Sequence, residues 1–180
     1  MSLTTDPNDP KLKEGQKNEK GQHEIYLVLS DEERAKGFVR PVRDAYKHIG
    51  KMTPDIQEKG KLFTLDELHE KDPTEYNNER IEKFKNWGHV AYIEYSEEYK
   101  KTNGSSAVVG QFIDQKEYDA MQNKEPYVGG CGSVTTMGDA LSETYARDPK
   151  FYGATFCCGC NKHIRVEEFQ WVNDGQTVGS

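Results

Sequence analysis

Apolar residues in this chain come in short bursts, separated by polar stretches punctuated with Gly and Pro. Residues 1 to about 24 show no hydrophobic period and are rich in Lys, Asn, Gln, Gly and Asp. Such a segment buries too little surface to offset its ordering entropy, so the pattern predicts a disordered polar tail over 1–24. The run IYLVL, residues 25–29, predicts a first strand. Ser30 and Glu33 have capping-box spacing and start a helical turn. Residues 38–49 are extended in character but contain Pro41, which predicts an edge or irregular strand. Residues 50–61 read as loop.

The next signals are stronger. Asp72-Pro73-Thr74-Glu75 offers an N-cap, a proline at the first helical position and a carboxylate three residues past the cap. Tyr76, Ile81, Phe84 and Trp87 then share one broad side, and Gly88 ends the helix. Alternation over 89–95 and β-rich residues over 107–113, with Asn103-Gly104 between them, predict a hairpin with a long connection. Asp114 to Glu117 repeats the capping-box pattern and starts a short helix. Thr135 or Thr136 starts another, with Met137, Leu141, Thr144 and Tyr145 at helical spacing and Asp148-Pro149 at its end. Residues 151–156 and 164–171 read as strands on either side of a Cys-rich turn. The fold class expected is α+β: a small antiparallel sheet with packed helices in one domain over 25–180, with 130–171 as a C-terminal zinc knuckle module.

Composition limits the function classes. The chain has 180 residues, 34% hydrophobic and 31% charged. No apolar run approaches the roughly 20 residues of a membrane span. The N-terminus lacks the hydrophobic segment of a signal peptide, so a reducing cytoplasm is expected, where clustered cysteines serve as metal ligands rather than disulfides. The net charge of −7 argues against a general nucleic-acid coat. Charge is uneven, however. Residues 34–51 hold Arg34, Lys36, Arg40, Arg43, Lys47 and Lys51 against Asp44 alone. Arg34, Arg40, Arg43 and Lys47 are therefore candidates for binding an anionic partner, set against the plainer reading of a solvated face.

The chemistry concentrates in FCCGCNKH, residues 156–163. Cys157 and Cys160 have C-x2-C spacing, which lets one tight turn aim two sulfurs at one ion, and Gly159 relieves crowding in that turn. His163 follows as a nitrogen donor. The fourth ligand must come from elsewhere, and Cys131 in the Gly129-Gly130-Cys131-Gly132 loop is the only cysteine outside the cluster. The expected site is therefore Zn2+ held by Cys131, Cys157, Cys160 and His163, a closed structural shell. A helix starting near Thr135 would place its positive end beside Cys131. Cys158 reads as a spare buried thiol. Two rivals stand against this site: buried free cysteines, and a redox C-x2-C, which in thioredoxin-like chains opens a helix rather than preceding a strand.

Other motifs do not complete. His69-Glu70 lacks the second His of a zincin, and no His-x-Glu precedes the C-x2-C as a zinc deaminase requires. There is no Walker loop, dinucleotide fingerprint or nucleophile elbow. His48 and His89 read as hydrogen-bonded structural histidines, and no catalytic set emerges.

Three stretches resemble small proteins of tailed bacteriophages and prophages: residues 37–50, residues 130–171 and the terminal DGQTVGS. The shared segments are G-C-G-x-V-T-T-M, E-T-Y-A-R and T-F-C-x-x-C-x-x-H. Here they fall on Cys131, on Glu143 to Arg147, and on Cys157, Cys160 and His163. The position of Cys158 varies in that pattern. The resemblance is loose over 51–129 and leaves out the tail. It implies a phage origin and a metal site, and no reaction.

The function expected is a non-enzymatic, zinc-stabilised phage domain that acts on another protein, from the host or the phage. It would work in the cytoplasm of an infected cell or in association with the virion. One alternative is nucleic-acid binding through segment 34–51, and another is a metal-dependent hydrolase with an open coordination position.

Overall fold

The strand that organises the cysteine-bearing half of the chain is Ala45–His48 (β3), with alternating intermediate, buried, exposed and buried positions. Tyr46 and His48 face the core because side chains alternate across a strand. β3 is central in its sheet, not an edge. It pairs antiparallel with Phe169–Trp171 (β12) on one side and Val134–Thr136 (β9) on the other. Pro41 falls outside the strand, so it costs the ladder nothing. The computed structural model describes residues 2–102 and 109–180. They divide into two compact units, Met1–Lys51 with Gly129–Ser180, and Met52–Val128, where the sequence suggested one domain behind a tail.

In the first unit Tyr46, Tyr145, Cys157, Val166, Phe169, Trp171 and Val178 form the core. The helix Asp139–Arg147 (α8) contributes Leu141, Thr144, Tyr145 and Ala146. It starts four residues later than Thr135, because Thr135 and Thr136 belong to β9. Ala154–Cys157 (β10) and Lys162–Arg165 (β11) make an antiparallel hairpin whose turn is the Cys-rich knuckle. The chain end folds back onto β12, with the Val178 amide donating to the Phe169 carbonyl at 2.9 Å.

The N-terminal residues are structured rather than disordered. Ser2–Thr4 (β1) pairs in parallel with Ile25–Leu27 (β2), and the short helix Pro10–Glu14 (α1) lies between them. An antiparallel bridge joins Lys17 to His23. This turn sits on the knuckle: a Cβ on Gly21 would come within 2.2 Å of the Asn161 carbonyl. The segment is held by contacts distant in sequence, which is why its composition alone misled. Ser30 caps Asp31–Arg34 (α2) through the Glu33 amide, as its spacing predicted.

In the second unit Gly60–Thr64 (β5), His89–Tyr95 (β6) and Gly110–Asp114 (β7) form an antiparallel sheet. β6 and β7 form the predicted pair, while Asn103-Gly104 lies outside the described residues. The helices are Ile56–Lys59 (α3), Leu65–Lys71 (α4), Asn78–Asn86 (α5), Glu97–Thr102 (α6) and Gln115–Gln122 (α7). Residues 50–61 are thus not loop: they hold α3, the start of β5, and Gly50–Met52 (β4), which pairs with Tyr127–Gly129 (β8). Asp72 is not an N-cap: it is the C-cap of α4, its amide donating to the Leu68 carbonyl. Its carboxylate accepts from the Thr74 and Glu75 amides at 3.1 and 2.9 Å, a local turn, and Asn77 caps α5 instead. The Asp114–Glu117 capping box forms as expected, and Thr64–Glu67 makes another on α4.

Candidate metal centre

Four side chains of the first unit converge. The ligand-type atoms of His48, Cys131, Cys157 and Cys160 all lie within 4.8 Å of one another. Cys131 Sγ is 3.3 Å from His48 Nδ1 and 3.4 Å from Cys157 Sγ, and Cys160 Sγ is 3.5 Å from His48 Nδ1. A disulfide would need about 2.05 Å, so these are free thiols around a common centre. This is a set that can hold one metal ion.

The structure brings together the three cysteines read from the sequence but supplies the nitrogen from His48. His163 sits elsewhere for a reason of strand geometry. It pairs across the hairpin with Phe156, whereas Cys157 pairs with Lys162. Directly paired residues share a face and neighbours in a strand do not, so His163 lies on the face opposite Cys157. There its Nε2 is 2.8 Å from the Tyr26 hydroxyl, and its ring lies 4.1 Å from that of His23. Burial, followed by the nearby charges of His23 and Lys17, pushes its pKa down to about 4.

His48 was legible only as a buried strand histidine. It lies on the core face of β3 with 3% exposure, packed against the Phe169 ring at 4.9 Å. Nδ1 lies 3.3 Å from both the Cys131 amide and the Cys131 sulfur, so this ring nitrogen is the one that faces the cluster. Among the described residues Nε2 finds no hydrogen-bond partner, but it faces the Glu168 carboxylate at 3.6 Å. A carboxylate behind an imidazole ligand fixes its tautomer and raises its basicity.

Two glycines let the ligand loops meet. A Cβ on Gly130 would stand 2.2 Å from the Ile49 carbonyl. One on Gly159 would stand 2.1 Å from Ser133 Oγ and 3.0 Å from Cys131 Sγ. Asn161 turns the knuckle with φ 53°, a left-handed position that Asn tolerates.

The thiols are electrically unequal. Hydrogen bonds from the Ser133 side chain, then its backbone, with His48 and Cys157 adding to them, hold Cys131 down at about 6. Burial, then the neighbouring sulfurs, push Cys160 up to about 11. A thiolate therefore forms most easily at Cys131 and least easily at Cys160. The low Cys131 value does not come from a helix end, since α8 begins only at Asp139. Cys157 is fully buried, Cys160 half-buried and Cys131 exposed. Cys158 is exposed, not buried, and points its sulfur at the Val134 carbonyl, 3.3 Å away and outside the cluster.

Two of the four candidate anion-binding cations are paired with carboxylates. Arg34 pairs with Asp31 and Glu143. Arg43 is 5% exposed, 2.5 Å from the Asp174 carboxylate and stacked over Trp171. Arg40 Nε donates to the Ser180 carbonyl at 3.1 Å, and Lys47 runs beside Gly132 of the ligand loop. Among the described residues, no helix is long and apolar enough to cross a membrane. No family model, curated protein or solved structure matches the chain.

Proposed function

We propose that this protein is a non-enzymatic domain of phage origin, stapled by structural zinc and acting through contacts with another protein, of the host or of the phage itself. The observation that carries the reading is the four-ligand set His48, Cys131, Cys157 and Cys160. Bonds of about 2.3 Å to sulfur and 2.0–2.1 Å to nitrogen put tetrahedral ligands about 3.6–3.8 Å apart. Three of the six spacings, at 3.3–3.5 Å, come near that shell, and all six lie within 4.8 Å. Soft thiolates with one imidazole suit zinc over calcium, magnesium or manganese. Four protein ligands leave no open position, whereas catalytic zinc keeps one for water or substrate. The hydrolase reading loses support on that ground. The nucleic-acid reading loses it because Arg34 and Arg43 are already engaged by carboxylates.

Bound zinc would neutralise the crowded sulfurs and tie the ligand loop, β3 and the knuckle together. Cobalt substitution tests the closed shell. The expected result is a tetrahedral visible spectrum that added azide or imidazole leaves unchanged. A spectrum that shifts on titration with azide would mean an open position and would count against the structural assignment.

A further inference from the structure

The sulfurs of the candidate metal centre differ in what can reach them. Cys157 is wholly buried, whereas Cys131 is exposed on its glycine loop. A Cβ on Gly129 would meet nothing within 4 Å, and one on Gly132 only Lys47 Cε at 4.0 Å, so the loop stands open there. Cys131 Sγ nonetheless touches Cys157 Sγ at 3.4 Å, across 26 residues of chain. An accessible thiol set against a second one is the arrangement of a sensing cysteine and its resolving partner.

Spacing in the sequence favours a different pair, Cys157 with Cys160. In the structure Cys160 lies within 4.8 Å of the other two sulfurs, yet its Sγ is set against His48 Nδ1 at 3.5 Å. Cys158, the other exposed thiol, turns to the Val134 carbonyl at 3.3 Å. Cys157 is therefore the partner placed to resolve an oxidised Cys131.

We propose that the metal site is also a peroxide-sensitive switch, in which a Cys131–Cys157 disulfide forms, frees the ion and takes over its stapling. The release of an ion rests on the structural-zinc assignment; the bond itself rests on the sulfur geometry. The Cys131 thiolate attacks one oxygen of a hydroperoxide, which breaks the O–O bond, leaves a sulfenic acid on Cys131 and releases hydroxide. The Cys157 thiolate then attacks the Cys131 sulfur and expels a second hydroxide as the S–S bond forms. Two electrons pass from the two thiolates to the peroxide, and two protons from solvent convert the hydroxides to water. The sulfurs close from 3.4 Å to about 2.05 Å. Neither bridged sulfur then carries a charge, and His48 and Cys160 remain as the only ligands. The new bond joins the Cys131 loop to the knuckle, the same two segments that the ion would hold.

The test uses the full chain, with its zinc content measured first. Hydrogen peroxide is added in the presence of a chromogenic zinc chelator, free thiols are alkylated, and bridged peptides are mapped by mass spectrometry. The expected result is release of the bound zinc together with a Cys131–Cys157 peptide pair, both reversed by dithiothreitol and added zinc. Cys158→Ser keeps all four candidate ligands and should behave as the parent does. In hydrogen exchange the bridged, zinc-free chain should keep amide protection in β9 and the β10–β11 hairpin that the reduced, chelated chain loses. A Cys157–Cys160 bond, no bond under excess peroxide, or a bond that disappears in Cys158→Ser would overturn the proposal. So would zinc that stays bound once the bond has formed, or equal loss of protection in the bridged and reduced chains. A parent without zinc would overturn the zinc assignment instead, and peptide mapping of the peroxide-treated chain would still decide whether the bond forms.

Discussion

At the residue scale, the choice between two histidines decides the site. The spacing C-x2-C-x2-H makes His163 the obvious nitrogen donor, because sequence distance is all that spacing reports. The hairpin register then places His163 on the wrong face, and His48, more than eighty residues before Cys131, is brought in by its strand (|i−j| 83). Nothing local marks His48 as a ligand beyond its alternation with Tyr46. The three cysteines were legible because a Gly-flanked thiol and a knuckle are chemical signals in themselves. Gly159 gives a prediction at this scale. Gly159→Ala drives a Cβ into Ser133 and Cys131, so it should destabilise the first unit by about 1–3 kcal/mol. Denaturant titration of the metal-loaded protein measures this; an unchanged midpoint would show that the two loops approach less closely.

His163 carries a pH prediction instead. Its native pKa, about 4, lies below the ordinary 6.5 because burial and the His23 and Lys17 charges disfavour the imidazolium. Between pH 6.5 and 4 the unfolded chain therefore binds a proton that the native chain does not. Stability from this group is present above pH 6.5 and is lost as pH falls towards 4. His163→Gln should lose less stability between pH 7 and 4.5 than the parent does, measured by denaturant midpoints at both values. An identical loss in both proteins would remove His163 from the account.

At the element scale, capping chemistry was readable and tertiary placement was not. Ser30 and Asp114 cap helices as their spacing predicts, since the motif satisfies orphan amides locally. Asp72 satisfies two amides equally well in a turn, so the same signal led to a false helix start. Pro41 suggested an edge strand, yet the central strand begins four residues later. The N-terminal segment is the largest miss. It has almost no apolar content, and what holds it is β1–β2 pairing and its seat on the knuckle through Gly21, His23 and Tyr26. The other sides of those contacts, β2, Asn161 and His163, lie outside the window in which disorder is read.

At the scale of the whole molecule, the candidate metal ligands come from both sides of an intervening unit in the sequence: His48 precedes residues 52–128 and the cysteines follow them. A bound ion closes that long loop and so stabilises the discontinuous unit, whose own strands are short. The second unit has its own apolar clusters and supplies no ligand. Treatment with a strong chelator should therefore remove amide protection from β3, β9 and the β10–β11 hairpin while β5–β7 keep theirs. Hydrogen exchange reads both at once. Equal loss in both units would show that they fold as one cooperative body.

The most direct test of the central claim is zinc content per chain, by elemental analysis of the parent, His48→Ala, Cys157→Ser and His163→Ala proteins. One zinc is expected in the parent and in His163→Ala, with loss or marked weakening in His48→Ala and Cys157→Ser. A parent protein without zinc, or a His48→Ala variant that keeps it while His163→Ala does not, would rule out a zinc site ligated by His48.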